Sequence, residues 1–138
     1  MLKILLVTTE KEPFSEFAAV LEKKDDVELF WALNGHEALE TISLNPIDLV
    51  IVDENIGDMT GIEFIKKLLP INPMINSAAV SPLAPEEFHE ASEGLGVLVQ
   101  LPIRPGHDEA QDLLNRLKKL THLTKSTNIG KVNKEQIL

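Results

Sequence analysis

The chain has 138 residues, 43% of them apolar, and contains no cysteine. This length suits one domain that buries roughly two-thirds of its unfolded surface, and the lack of thiols excludes disulfide scaffolds, zinc–thiolate sites and cysteine nucleophiles. A formal net charge of −9 argues against direct binding to nucleic acid or anionic membranes. We expect a cytoplasmic protein, because the sequence has no apparent signal peptide and no apolar run near the roughly 20 residues of a membrane span.

Short apolar runs alternate with segments of helical period along the chain. The apolar runs predict five strands, at residues 3–7, 27–32, 49–52, 74–80 and 97–99. Helices are predicted after Pro13, after Asn34, from Thr60 to Pro70, from Pro85 to about Gly94, and from Asp108 onward. Five strands alternating with five helices indicate an α/β fold, a parallel sheet covered on both faces, and we expect the strand order 2-1-3-4-5.

Two of the predicted helices begin with a capping pattern. Asn34 and Thr60 are each followed three residues later by a glutamate, Glu37 and Glu63 respectively, as in a capping box. At the other end of the chain the sequence becomes polar and loses its period. We therefore predict one domain over residues 1–121, followed by a polar tail or linker stub over residues 122–138.

One carboxylate, Asp53, directly follows the third and most apolar strand. It opens a loop that contains Gly57 and Gly61. Because ligand sites in parallel sheets lie beyond the carboxyl ends of the strands, this position predicts a functional acid. The alternative is an acid that only starts a turn or caps the next helix.

Over about residues 1–121 the sequence resembles the receiver domain of two-component response regulators. Asp53, Met59 and Gly61 follow the spacing of that family's phosphoacceptor loop, with Gly57 in place of a proline. Further along, Gly94 is followed seven residues later by a Leu-Pro pair in place of Lys-Pro. The resemblance implies a flavodoxin-like (βα)5 domain that is not itself an enzyme, with Asp53 as phosphoacceptor and a histidine kinase or phosphotransfer protein as partner.

The resemblance also implies a magnesium ion, held by an acidic pair after the first strand, by the phosphoacceptor and by a backbone carbonyl, which would be that of Asn55. Thr8 and Thr9 stand where the acidic pair belongs, and Glu10 follows one position late. Magnesium prefers anionic oxygen ligands in near-octahedral geometry, so hydroxyls hold it weakly. We therefore predict a weak magnesium site of Asp53, Asn55 and Glu10, and no other cofactor.

Three further functional positions of the family are substituted here. Leu101 replaces the lysine that contacts the phosphoryl group, Ala79 falls at the Ser/Thr switch when counted back from Gly94, and Leu98 replaces the aromatic switch. The resemblance implies a cis bond before Pro102. Two charges about 4 Å apart interact by about 4 kcal/mol at an effective dielectric near 20, so these losses are expected to slow phosphoryl transfer by several orders of magnitude.

Two functions remain open at this point. The first is a phosphorylatable receiver whose chemistry is weakened, which is the one we favour because of Asp53 and its loop. The second is a pseudo-receiver that acts as an interaction or dimerisation module without phosphorylation, which the substituted positions favour. An aspartyl-phosphate hydrolase is disfavoured because it needs a second carboxylate where Asn55 stands. Homodimerisation is possible in either case.

Overall fold

Five parallel strands form one sheet in the order β2-β1-β3-β4-β5, which confirms the predicted α/β fold and strand order. The computed structural model describes the backbone of residues 1–132 and the side chains of residues 1–120. The strands are β1 (Leu2–Val7), β2 (Val27–Ala32), β3 (Leu49–Val52), β4 (Asn76–Val80) and β5 (Val97–Leu101).

The helices begin close to where the sequence predicts. A 3-10 turn at Glu12–Phe14 leads into α1, and the helices are α1 (Ser15–Glu22), α2 (Gly35–Leu44), α3 (Gly61–Ile71), α4 (Pro85–Ala91) and α5 (His107–Val132). The capping box at Thr60 is confirmed, and Asn34 caps α2 as predicted, although the Glu37 side chain accepts the Leu33 N–H in place of the Asn34 N–H. Asn34 accepts the Glu37 N–H at 2.8 Å, and the Thr60 and Glu63 side chains each accept the other's backbone N–H.

Two helix ends differ from the predictions. Helix α3 includes Pro70 and ends one residue later, at Ile71. Helix α5 continues through Val132, into the residues predicted as a polar tail or linker stub. Once a helix is nucleated, adding a residue costs little, and the absence of an apolar period does not stop its growth. The rest of the expected tail lies outside the described residues, and the domain boundary near residue 121 stays a prediction.

The sheet is buried on both faces, as the apolar runs require. On one face Ile4, Leu6 and their neighbours pack with side chains of α1 and α5, and on the other Leu5 and Val7 pack with side chains of α2 and α3. Each fully buried aliphatic side chain contributes roughly 1.5–3 kcal/mol relative to an exposed one. The two clusters hold the central strands β1 and β3 side by side. The residues directly after these two strands are therefore positioned next to each other.

Within the described part of the chain, no helix has the length and apolar character needed to cross a membrane.

Candidate functional site

The site is built where the two central strands end. Val7 and Val52 are register partners in β1 and β3, so the next residues, Thr8 and Asp53, emerge together at the carboxyl edge of the sheet. The Thr8 hydroxyl lies 2.7 Å from Asp53 Oδ2, to which it donates, and the other carboxylate oxygen accepts the Glu54 N–H at 2.8 Å. Thr8 is 1% exposed, whereas Asp53 is half-buried. A neutral hydroxyl therefore occupies the position next to the carboxylate.

The Thr8 hydroxyl is itself held by the backbone of Glu10. It accepts the Glu10 N–H at 3.1 Å and lies 2.9 Å from the Glu10 carbonyl oxygen. A hydroxyl has one proton, so it serves either this carbonyl or the Asp53 carboxylate at a given moment. This compact turn keeps the threonine oxygen beside Asp53 and leaves the Glu10 side chain exposed.

The donors at this edge do not fit a tight magnesium site. Among the residues whose side chains are described, no three acidic, histidine or cysteine side chains are grouped so that they could hold a metal ion. Asp53 offers one carboxylate, already hydrogen-bonded on both oxygens, while the Thr8 hydroxyl stands in the place of an acid. Magnesium needs several hard and preferably anionic oxygens, so the Asp53 carboxylate and the Thr8 hydroxyl suit only weak binding of this ion.

The loop after Asp53 is closed by its own backbone. The Gly61 N–H donates to the Glu54 carbonyl at 3.0 Å, and the Ile56 N–H donates to the Met59 carbonyl at 2.9 Å. The Asn55 side chain accepts the Gly57 N–H at 2.9 Å, and Gly57 has a φ of +90°. Proline cannot adopt that angle, so this conformation of the loop favours glycine at position 57.

Gly61 allows the first turn of α3 to pass close to the end of β3. A Cβ at this position would overlap the Asp53 carbonyl oxygen and would lie 2.7 Å from Val52 Cγ2. A side chain here would push α3 away from the strand that carries Asp53. The glycine spacing of the loop thus has a steric cause.

A cavity of about 210 Å³ opens beside Asp53, between the ends of β3 and β4. Ser81, the first residue after β4, lines it, together with Ala79, which is 2% exposed inside the strand. Counting from Gly94 selects Ala79, with Ser77 and Ser81 each two residues away. The available signal was the end of the apolar run at Val80, which places a hydroxyl, not a methyl group, just beyond the strand.

The side chain of Gln100 fixes the loop that follows Ser81. Its Nε2 donates to the Ser81 carbonyl at 3.1 Å and to the Leu83 carbonyl at 2.8 Å. The loop between β4 and α4 is therefore bound to β5 by an uncharged side chain.

The two leucines of β5 belong to the core. Leu101 is 1% exposed within the cluster between the sheet and helices α1 and α5, and Leu98 is half-buried against the same cluster. The predicted cis bond before Pro102 is wrong, because no peptide bond of the described chain is cis. The trans isomer of a bond before proline is favoured by about 0.5–1 kcal/mol. Leu101 is packed in the core, so the chain has no lysine at this position to direct toward Asp53.

Arg104, the cation that follows β5, is engaged elsewhere. Its guanidinium donates to both carboxylate oxygens of Glu12, at 2.6 and 3.0 Å, and its φ is +54°. The hydrogen bond from Arg104, followed by its charge, lowers the pKa of Glu12, and the pKa of Arg104 is raised in return. Both side chains are largely exposed. The pair links the loops after β1 and β5, but it brings no positive charge into contact with Asp53.

A second contact reaches the loop from helix α2. The Asp58 carboxylate accepts the N–H of Gly35 at 2.9 Å and that of His36 at 3.0 Å. These hydrogen bonds lower the pKa of Asp58, and the one from the Gly35 N–H has the largest effect. The sequence pattern gave no indication of this contact, because the two segments are more than 20 residues apart.

Comparison with known proteins agrees with this architecture. The profile of the response regulator receiver domain matches residues 4–97. A Bacillus subtilis protein described as the uncharacterized transcriptional regulatory protein YesN is 28% identical over 133 residues, which cover 95% of this chain but only 35% of that protein. Sporulation initiation phosphotransferase F of the same organism is 28% identical over 93 residues, 67% of this chain and 75% of that protein.

Solved structures give the same result for the fold. A receiver domain protein from Methanospirillum hungatei superposes with a TM-score of 0.74 at 22% identity, covering 92% of this chain and 98% of that one. A response regulator from Thermotoga maritima superposes with a TM-score of 0.70 at 25% identity, covering 86% and 96%. With the profile match over more than half of its length and the carboxylate at the end of β3, the chain belongs to the receiver domain family of response regulators.

Proposed function

We propose that this chain is a receiver module in two-component phosphorelay signalling and that Asp53 accepts a phosphoryl group slowly. The observation that carries the proposal is the placement of Asp53. Its carboxylate is half-buried at the end of β3, beside a cavity of about 210 Å³ that also contains Ser81. A transferred phosphoryl group would enter that cavity, and the Ser81 hydroxyl is the group beyond β4 that is available to bind it.

The reaction would be a displacement at phosphorus. A carboxylate oxygen of Asp53 forms the new O–P bond as the P–N bond of a phosphohistidine donor breaks, and the ring nitrogen retains the electron pair. Both reactants are anionic, so the rate depends on positive charge near the transferring oxygens. Here the Thr8 hydroxyl and the Glu54 N–H are the donors in contact with Asp53, and both are uncharged. A slow reaction follows from this balance.

The partner would be a histidine kinase or a phosphotransfer protein, encountered in the cytoplasm. The name of one relative, a sporulation initiation phosphotransferase, supports a role in phosphoryl transfer. Homodimerisation is compatible with this function, whereas direct binding to nucleic acid is disfavoured by the net charge of −9. Magnesium would assist only weakly through Asp53, the Asn55 carbonyl and Glu10.

A pseudo-receiver is the second candidate, and one contact favours it. The Thr8 hydroxyl already satisfies Asp53 Oδ2 at 2.7 Å, and Leu101 is buried in the core at the position of the family's lysine. A protein that keeps this arrangement would use its surfaces for interaction or dimerisation without phosphorylation.

The two candidates are separated by labelling. The protein is incubated with magnesium and a small phosphodonor such as acetyl phosphate, and the mass of the intact chain is followed over time. Slow addition of one phosphoryl group, absent in Asp53→Asn but retained in Asp48→Asn, supports the receiver. Asp48 is a suitable control because its carboxylate accepts a backbone N–H from Lys3 at the opposite end of β3. Absence of labelling in the folded wild-type protein supports the pseudo-receiver.

A further inference from the structure

The loop that contains Asp53 is bound to the amino end of α2 through one side chain. Asp58 accepts two successive N–H groups, from Gly35 and His36, at 2.9 and 3.0 Å. A carboxylate at a helix amino end is stabilised both by these charge-assisted hydrogen bonds and by the helix dipole. The contact joins segments 22 and 23 residues apart.

Asp58 shares the capping of α2 with a local residue, Asn34. The Asn34 side chain accepts the Glu37 N–H at 2.8 Å, and the Asn34 carbonyl accepts the Ala38 N–H at 3.0 Å. Asp58 binds the two amides that this local cap leaves open. Its carboxylate therefore ties the loop after β3 to α2, in addition to satisfying the helix end.

Gly35 shows that the two segments are fitted to each other. A Cβ at Gly35 would lie 2.7 Å from Met59 Cε and 3.2 Å from Asp58 Oδ1. Met59 packs against the buried cluster on this face of the sheet, so the loop cannot retreat without uncovering apolar surface. Glycine at this position leaves room beside the helix for the Met59 and Asp58 side chains.

We propose that Asp58 is a positioning residue that holds the phosphoacceptor loop in place through α2, and that it transmits a change at Asp53 to the amino end of that helix. The second part rests on the proposed function, since the change at Asp53 is its phosphorylation. The loop is otherwise closed by backbone hydrogen bonds such as that of the Gly61 N–H to the Glu54 carbonyl. If Asp58 is released, these bonds lose their outer support and the loop opens more often.

The first test is amide hydrogen exchange by NMR on the full chain without a phosphodonor. In Asp58→Ala, exchange should be roughly tenfold faster at Gly35 and His36, and also faster at Gly61 in the loop. Asp58→Asn keeps one acceptor oxygen and should restore part of the protection. The matched control is Asn34→Ala, which weakens the same helix end and should accelerate Glu37 without affecting Gly61.

Two results would overturn the proposal. One is unchanged exchange at Gly61 in Asp58→Ala, and the other is equal acceleration at Gly61 in Asn34→Ala, which would make Asp58 an ordinary helix cap. The second test adds beryllofluoride with magnesium as a phosphoryl mimic. The Gly35 and His36 signals should shift in the wild type but not in Asp58→Ala, while Glu54 shifts in both. A wild-type shift at Glu54 without one at Gly35 contradicts the transmission.

The two proposals fail in different ways. If no signal near Asp53 responds to beryllofluoride in any variant, the proposed phosphoacceptor function is contradicted. The exchange experiment still decides whether Asp58 positions the loop, because it requires no phosphoryl group.

Discussion

Replacing Thr8 with aspartate should make the stability of this protein depend on magnesium. The Thr8 hydroxyl is 2.7 Å from Asp53 Oδ2, to which it donates a hydrogen bond. In Thr8→Asp a second carboxylate would occupy nearly the same place. Without a cation the two like charges repel each other, and with magnesium they become two anionic ligands of one ion.

The expected magnitude follows from the geometry. Two charges about 4 Å apart repel by about 4 kcal/mol at an effective dielectric near 20. Asp53 is half-buried, so solvent and salt reduce this repulsion, and we expect a destabilisation of about 2–4 kcal/mol that includes the lost hydrogen bond. Magnesium at a free concentration about 100 times its dissociation constant would raise the free energy of unfolding by about 2.7 kcal/mol, which would restore most of that loss.

Urea unfolding with and without magnesium measures both effects. Thr8→Val serves as the control, since it removes the same hydrogen bond without adding charge and should cost about 1 kcal/mol regardless of magnesium. The reasoning would be refuted if Thr8→Asp were as stable as the wild type in the absence of magnesium. It would equally fail if magnesium stabilised the wild type and the variant by the same amount.

Three further predictions concern stability and are measured by urea unfolding. Gly61→Ala should lower the free energy of unfolding by about 1–3 kcal/mol because the added methyl group overlaps the end of β3, and an unfolding midpoint equal to that of the wild type would contradict this. Gly94→Ala should lower it by about 1–2 kcal/mol, because Gly94 has open space around it but a φ of +83°. Leu101→Ala should cost about 2–5 kcal/mol as a core truncation, and a loss below about 1 kcal/mol would show that Leu101 does not fill the core. The pKa of Asp58 is held down first by the Gly35 N–H, so its contribution is complete above the ordinary aspartate pKa of about 3.9 and is lost as the pH falls through the lower folded value. The midpoint of the wild type should therefore fall more than that of Asp58→Asn on acidification, and parallel curves would exclude this linkage.

Local patterns were sufficient for the elements and for the location of the site. Apolar runs placed β1, β2 and β3 to within one residue, and the pairs Asn34–Glu37 and Thr60–Glu63 marked two helix starts. These features depend on neighbours within about four residues, which a sequence displays directly. Asp53 was found in the same way, because it follows a strand that has no polar residue.

The surroundings of Asp53 were decided by tertiary structure. The resemblance places Thr8 near Asp53, but no local pattern indicates that its hydroxyl donates to that carboxylate across 45 residues, or that Arg104 pairs with Glu12 across 92. Such contacts depend on which strand ends lie side by side and how the loops pack there. The trans bond before Pro102 was likewise not predicted from the sequence, and Leu101 before it is buried in the core.

The sequence by itself determined that five strands and five helices alternate, that the sheet is buried on both faces, and that one carboxylate stands at its carboxyl edge. Only the tertiary structure decided that this carboxylate contacts a hydroxyl and a backbone N–H, and that its loop is bound to α2 through Asp58. The physical reason is the difference in sequence separation between the interacting residues. Periodicity and capping act within a few residues, whereas the charge balance of a site is the sum of groups brought together from distant parts of the chain.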